Sequence, residues 1–323
     1  MKRALPLLSF GLAACSGVQH ALDPASEESA FIGGLSWLLY GGATAIFLLV
    51  MAIAAYAVFG PESRKRLAHR KLIVGGGILF PVVTLTALMT YAFAGAPNLL
   101  LRGEPALHVE VTGEQYWWRV RYLDENGWAQ FETANEIVVP ANRTVAFHLR
   151  SADVIHSFWV PNLHGKLDMI PGHSKTMQVR PTRTGVYRGQ CAEYCGTQHA
   201  KMAFTVEVVN EKDFERWHAA RKATARIPDS PLLQRGRDVF LSAGCGSCHT
   251  VRGVNESRAL GPDLTHVGSR RTLGAGAIPN SLGALAGWIA DSQALKPGNR
   301  MPAFRNLQPG DLQAVAAYLA SLE

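Results

Sequence analysis

At 323 residues the chain exceeds one ordinary domain and has room for two or three folding units. It is 48% hydrophobic and only 18% charged, apolar for a soluble protein, which points to membrane-embedded segments. The formal net charge of +7 does not mark a nucleic-acid binder, because the basic residues are dispersed and their densest cluster lies between two apolar runs.

Residues 1–14 open with Lys2 and Arg3, continue through an apolar core and end in small residues before Cys15. This is the pattern of an export signal of the lipoprotein type, which would leave Cys15 as a lipid-modified N-terminus. An ordinary signal peptide, or an unprocessed leader with an incidental cysteine, is the alternative. Residues 15–104 hold an N-terminal segment and two uncharged runs, about 31–59 and 72–96, each long enough for the ~20 apolar residues that a bilayer crossing needs. Between them lie Arg64, Lys65, Arg66, His69, Arg70 and Lys71. Positive loops stay on the cytoplasmic side, so both ends of the chain are expected outside. Gly75, Gly76, Gly77 and Pro81 weaken the second helix locally.

Residues 105–210 change to short alternating runs at 107–111, 119–122, 136–139, 144–149, 176–179 and 203–209. Period-two alternation bounded by Pro and Gly predicts strands, and this many predict a small β sandwich or barrel. Between the last two runs fall Cys191, Cys195, His199 and Met202, with His156 after an earlier one. Thiolate, imidazole and thioether together suit copper, because soft sulfur stabilises the reduced ion and imidazole tolerates the oxidised one. Two cysteines four apart suggest bridging sulfurs and a binuclear centre. A disulfide or a zinc site would use some of the same residues, but the disulfide loop would be tight and zinc rarely recruits Met.

Residues 211–230 are charged and helix-prone and end among Pro228 and Pro231, which predicts a linker helix with a proline stop. In residues 231–323, Cys245, Cys248 and His249 form the attachment signal for c-type haem: two thiols add to the vinyl groups, and the adjacent histidine becomes an axial iron ligand. A thioredoxin-like redox pair has the same cysteine spacing, but no βαβ pattern surrounds it. Met301 follows a polar stretch and precedes Pro302, and it is the expected second axial ligand, with His266 as its rival. Leu312, Val315, Ala316, Leu319 and Leu322 recur at helical spacing and predict a C-terminal helix. Each of the five cysteines thus has a separate task, and none is left for a structural disulfide.

From its paired helices to its C-terminus the chain resembles subunit II of a bacterial haem–copper oxidase of the caa type, in which a cytochrome c domain is fused to the copper subunit. The resemblance implies a two-helix transmembrane hairpin, an all-β cupredoxin-like Greek-key barrel and an all-α class I cytochrome c domain. It also implies the ligand roles. Cys191 and Cys195 would bridge two coppers, His156 and His199 would each bind one, and Met202 and the carbonyl of Glu193 would be weaker donors. The Glu193 side chain would take Mg²⁺ at the boundary with subunit I, and Asp168 would lie just behind the ligands.

The activity implied is that of a cytochrome c oxidase subunit in a proton-pumping complex. Its fused haem would feed the copper pair, which passes electrons to the haem–copper subunit I that reduces O₂. Subunit III, membrane lipid, and a reduced cytochrome c or cytochrome c reductase as donor complete the implied partners. The location would be the bacterial inner membrane, with both metal domains on the periplasmic side.

Two departures from the family stand out. Tyr116 occupies a position where the family commonly has Trp, so packing is the simpler expectation for Tyr116, Trp117 and Trp118. Residues 70–74 lack the acid that some oxidases use in proton uptake, and Glu62 is not assigned that role. A lipid-anchored copper and haem carrier acting without an oxidase partner is the competing reading.

Overall fold

The computed structural model describes residues 17–61, 70–95, 103–256 and 260–323. Cys15, Glu62 and the basic residues 64–69 lie outside the described residues. Two long helices come first, α1 (Glu27–Phe59) and α2 (Arg70–Gly95). Their large apolar side chains, such as Leu38, Phe47, Leu49, Ile78 and Val82, point outward all round. A helix that is apolar on every side and unburied by protein needs lipid around it, so the pair is a membrane anchor. Phe31 and Tyr91 stack at 6.3 Å, joining the start of α1 to the end of α2.

The glycine run in α2 loosens one turn into a π-helix over Gly75–Leu79, where the amide of Phe80 reaches back to the carbonyl of Gly75. Pro81 follows at once and has no N–H to continue the ordinary ladder, so the wide turn absorbs the mismatch.

α1 does not begin in isolation. Ser26 caps it through a capping box with Ser29 and pairs with Pro181 of the β domain. Ala25 donates to the carbonyl of Asn162 at 2.8 Å, and the buried Glu28 carboxylate accepts from the amide of Arg180 at 3.0 Å. The first membrane helix is therefore stitched to the β domain at its cap, which fixes its direction of departure.

Ten strands follow: β1 (Leu107–Glu114), β2 (Trp117–Leu123), β3 (Ala129–Ala134), β4 (Glu136–Pro140), β5 (Val145–Ser151), β6 (His156–Trp159), β7 (Leu167–Met169), β8 (Lys175–Val179), β9 (Gly185–Cys191) and β10 (Ala203–Val209). They form two five-stranded sheets, ordered β3-β2-β1-β5-β8 and β4-β10-β9-β6-β7. β1 pairs with β5, and β4 with β10, in parallel, because the chain crosses between sheets as in a Greek key. Alternation on β1 buries Leu107, Val109 and Val111, and these pack with Trp118, Phe147, Phe158, Phe204 and Val206 into one core between the sheets. α3 (Glu211–Lys222) lays Trp217 and His218 on Tyr122 and Phe131, with Phe214 buried beside them, to cover one end.

The C-terminal domain is built on α4 (Pro231–Ser242), α5 (Leu282–Leu295) and α6 (Pro309–Ala320) around Phe240, Leu285, Ile289, Tyr318 and Leu319. It is not purely α-helical. A short hairpin, β11 (Thr272–Leu273) with β12 (Ile278–Pro279), sits between α4 and α5 and leans on the β domain.

Candidate metal centres

Strand geometry brings the upper ligands together. β9 ends at Cys191 and β10 begins at Ala203, so the intervening loop must leave and return at one end of the sheet, and the amide of Cys191 closes it on the carbonyl of Met202 at 3.0 Å. β6 lies beside β9 with Phe158 opposite Cys191, which carries His156 to the same end.

There the Sγ atoms of Cys191 and Cys195 stand 3.8 Å apart, and both cysteines are free thiols. His156 Nδ1 is 3.8 Å from Cys191 Sγ, and His199 Nδ1 is 3.7 Å from Cys195 Sγ. Met202 Sδ lies 3.8 Å from Cys195 Sγ, while the Glu193 carbonyl is 3.2 Å from Cys191 Sγ. Two sulfurs therefore sit at the centre, with one imidazole beside each and a weak donor on either side. The hydrogen bond from Cys195 draws the Cys191 thiol well below its ordinary pKa and raises that of Cys195. A thiolate is the nucleophilic, metal-binding form of cysteine.

The histidine is oriented from behind. His156 Nε2–H donates to Asp153 at 2.8 Å, so its Nδ1 lone pair faces the sulfurs. Burial opposes its protonation, but Asp153 and Cys191 outweigh that and raise its pKa. Asp153, for its part, is held below the ordinary carboxylate range: burial pushes it up, and bonds from His156 and the amides of Gln115 and Val154 more than reverse this. Trp118 is fully buried beneath the ring, 6.1 Å away, and Tyr116 is buried with its hydroxyl 3.1 Å from Thr197 Oγ1. Trp117 lies under the Arg119 guanidinium. The Glu193 and Asp168 carboxylates share the ammonium of Lys166, at 3.2 and 2.9 Å, and Asp168 also accepts from Ser157 at 2.8 Å. A cation thus already stands where the two acids meet.

In the C-terminal domain Cys245 and Cys248 bracket a single 3₁₀ turn, and both are free and half-buried. His249 faces the carbonyl of Pro262 at 2.8 Å through Nδ1. A carbonyl only accepts, so the proton is on Nδ1 and the lone pair is on Nε2, as an iron ligand requires. Burial also lowers the His249 pKa, keeping the ring neutral.

Met301 lies in the loop before α6, half-buried against the core. Its amide donates to Asn299, and its carbonyl accepts from Ser292 at 2.9 Å and Gln293 at 2.8 Å. The rival His266 is instead tied to the carbonyl of Glu323 at 2.9 Å.

Arg270 shows that this domain fits an anionic group near His249. Its guanidinium acts electrostatically on His249, yet its buried Nε has no partner among the described residues, an arrangement that a haem carboxylate would satisfy. Arg270 and Asp153 escape a reading of motifs. Asp153 is visible only as an acid three residues before His156, and Arg270 carries no local signal.

The family description "Cytochrome C oxidase subunit II, periplasmic domain" matches residues 106–209, and "Cytochrome c" matches residues 233–323. A cytochrome c oxidase subunit 2 from Alkalihalophilus pseudofirmus is 32% identical, over 99% of this chain and 97% of that protein. The one from Bacillus subtilis is 33% identical, over 69% of this chain and 64% of its own. Among solved structures, the periplasmic domain of subunit II of cytochrome oxidase from Bradyrhizobium japonicum is 33% identical, covering 38% of this chain and 97% of that one, with a TM-score of 0.35.

Proposed function

The chain belongs to the cytochrome c oxidase subunit II family, and from that premise we propose that it relays electrons from its own cytochrome c domain, through a binuclear copper centre, to the oxygen-reducing subunit I. It is a subunit of the oxidase complex; its β domain is one that holds copper, and its C-terminal domain one that holds haem. One observation carries the reading: two thiols, two imidazoles, a thioether and a carbonyl converge at one end of the sandwich. His156, His199, Cys191, Cys195, Met202 and the Glu193 carbonyl would hold two coppers, and Cys245, Cys248, His249 and Met301 would hold the haem.

When bound, these groups supply one-electron carriers whose charge change is spread over two coppers or a porphyrin. The chain's own contribution is rigidity. Asp153 fixes the His156 ring, the sheet fixes Cys191, Gln115 holds the Cys195 carbonyl, and Pro262 fixes His249, so little rearrangement accompanies a change of one electron. Lys166 bridges Glu193 and Asp168 and offsets one of their two negative charges; the same Glu193 carboxylate is the natural place for Mg²⁺ when subunit I adds its own ligands.

The two helices anchor the chain in the membrane, with both metal domains on the outer, periplasmic face and Cys15 as a lipid attachment. Subunit III completes a proton-pumping complex, and a reduced cytochrome c or cytochrome c reductase delivers electrons to it.

The test is low-temperature EPR and steady-state oxidation of reduced cytochrome c by the purified complex. A mixed-valence multiline copper signal is expected, and Cys191→Ser abolishes it together with turnover. Normal turnover in that variant, or a zinc-filled silent site in the wild type, would overturn the reading.

A further inference from the structure

Lys296 is buried to 2% exposure at the junction of the two metal domains, and neither candidate centre uses it. Its Nζ lies 2.6 Å from the carbonyl of Tyr116, 2.7 Å from that of Lys201 and 2.7 Å from that of Gly274. Three carbonyl acceptors at this range call for three N–H donors, the ammonium form, which they hold against a burial that draws the Lys296 pKa down to about 7. An ammonium is costly to bury unless it is fully hydrogen-bonded, and here every proton has a partner.

The three carbonyls belong to three different pieces. Tyr116 sits in the turn under the copper loop and Lys201 immediately precedes Met202, whereas Gly274 is in the haem-domain hairpin. We propose that Lys296 is a positioning residue that pins the haem domain onto the copper loop in one fixed dock, so that the segment from Lys296 to Met301 forms the electron path between the two centres.

Neighbouring contacts describe the same dock. The amide of Ala203 donates across the boundary to Ala275 at 3.0 Å, and Lys201 Nζ donates to the carbonyl of Leu295 at 2.9 Å. The pin is coupled directly to the proposed haem ligand. Asn299 Nδ2 donates to the Lys296 carbonyl at 2.7 Å, and Asn299 Oδ1 holds the amide of Met301 at 2.8 Å. From there Arg300, next to Met301, reaches Asp153 at 3.4 Å, and Asp153 holds His156 at 2.8 Å.

A haem held by Cys245, Cys248, His249 and Met301 would supply one electron, and a copper pair held by Cys191, Cys195, His156 and His199 would take it up, across this segment. The tunnelling rate falls exponentially with the gap, so holding Met301 and His156 on one short bonded path sets the rate. A tether alone supplies effective concentration but no fixed gap.

The inference rests on the relay reading above, and its experiment separates the two. In the purified complex, haem-to-copper electron transfer is started by a light flash and followed optically, while hydrogen exchange is read at the Ala203 amide. Lys296→Met leaves three buried carbonyls without a donor. The expected result is a fall in the transfer rate of about tenfold or more and loss of protection at Ala203, with the potentials and spectra of both centres unchanged. Arg300→Ala removes an exposed side chain that the fold does not need, and it lowers the rate by about two- to fivefold without affecting Ala203.

Wild-type rates in both variants, with Ala203 still protected in Lys296→Met, would overturn the proposal. If the wild-type complex shows no haem-to-copper transfer, the relay itself fails, and persistent exchange protection in Lys296→Met would show separately that Lys296 is no pin.

Discussion

The two metal regions of this chain are prepared in opposite ways. In the β domain the donors lie together: the ligand atoms of His156, Cys191 and Cys195 are within 4.8 Å of one another, the first two on the neighbouring strands β6 and β9 and the third in the loop that β9 opens. In the C-terminal domain His249 and Met301 are fixed by separate loops, one by Pro262 and the other by Ser292 and Asn299. Its core is also small. Cys245, Met301, Phe304 and Leu307 rim it only partly buried, and the buried Arg270 Nε has no partner among the described residues. A sheet can pre-form a site for a small ion. A short helical domain instead uses its large covalent group as core, because the group itself contributes apolar area that the side chains do not.

The largest expected effect tests this contrast directly. Replacing both Cys245 and Cys248 by Ser removes haem attachment, and the C-terminal domain should lose its tertiary structure while the β domain keeps its own. Limited proteolysis should then cut within residues 231–323 and spare residues 105–210, and the multiline copper signal should persist. A C-terminal domain that stays resistant without haem would show that its side chains suffice.

A smaller pair of effects sharpens the same comparison. Each of the two histidines, His156 and His249, rests against a glycine. A Cβ on Gly113 would lie 2.8 Å from the His156 ring, and one on Gly261 would lie 2.5 Å from the His249 ring. Gly113 is in β1, hydrogen-bonded between β2 and β5, so the strand has nowhere to go. Gly113→Ala should therefore cost about 1–3 kcal/mol and distort the copper spectrum. Gly261 lies in a half-buried loop that can give way. Gly261→Ala should cost less in thermal melts, although its clash is the closer one. The reverse order would mean that the loop, not the sheet, is the rigid support.

The sequence made the candidate ligands legible and left their supports hidden. Cys191, Cys195, His199 and Met202, and the haem signal at Cys245, Cys248 and His249, are read from spacing because local chemistry dictates spacing. Strands β1, β2, β4, β5, β8 and β10 announced themselves by alternation. β3, β6, β7 and β9 did not: β7 has three residues, β6 has four and begins at His156 itself, and β9 carries Gly185 and Gly189 where an alternating run would show apolar residues. The haem-domain hairpin is two residues a side, too short for any period. Lys296 reads as an ordinary surface lysine until three carbonyls from distant segments surround it, and no local pattern encodes that.

The smallest effect lies on the boundary where the two regions meet. Glu136 opens β4 on the copper side, and its carboxylate accepts from the amides of Arg271 and Thr272 on the haem side, at 2.7 and 3.2 Å. Burial raises its pKa above the ordinary 4.5, more than the opposing pull of Arg270 and those two amides lowers it. The folded state therefore binds this proton more tightly than the unfolded state does. Between 4.5 and the raised folded value, stability from this group falls as pH rises. Glu136→Gln keeps a carbonyl acceptor for both amides and removes the charge. Thermal melts from pH 4.5 upward should show a shallower decline in the variant than in the wild type, with a difference of about 1 kcal/mol or less at neutrality. Parallel curves would mean that Glu136 is as well solvated in the fold as in the open chain. The boundary would then owe nothing to its buried acid, and its hold would rest on Lys296 and the backbone pairing of Ala203 with Ala275.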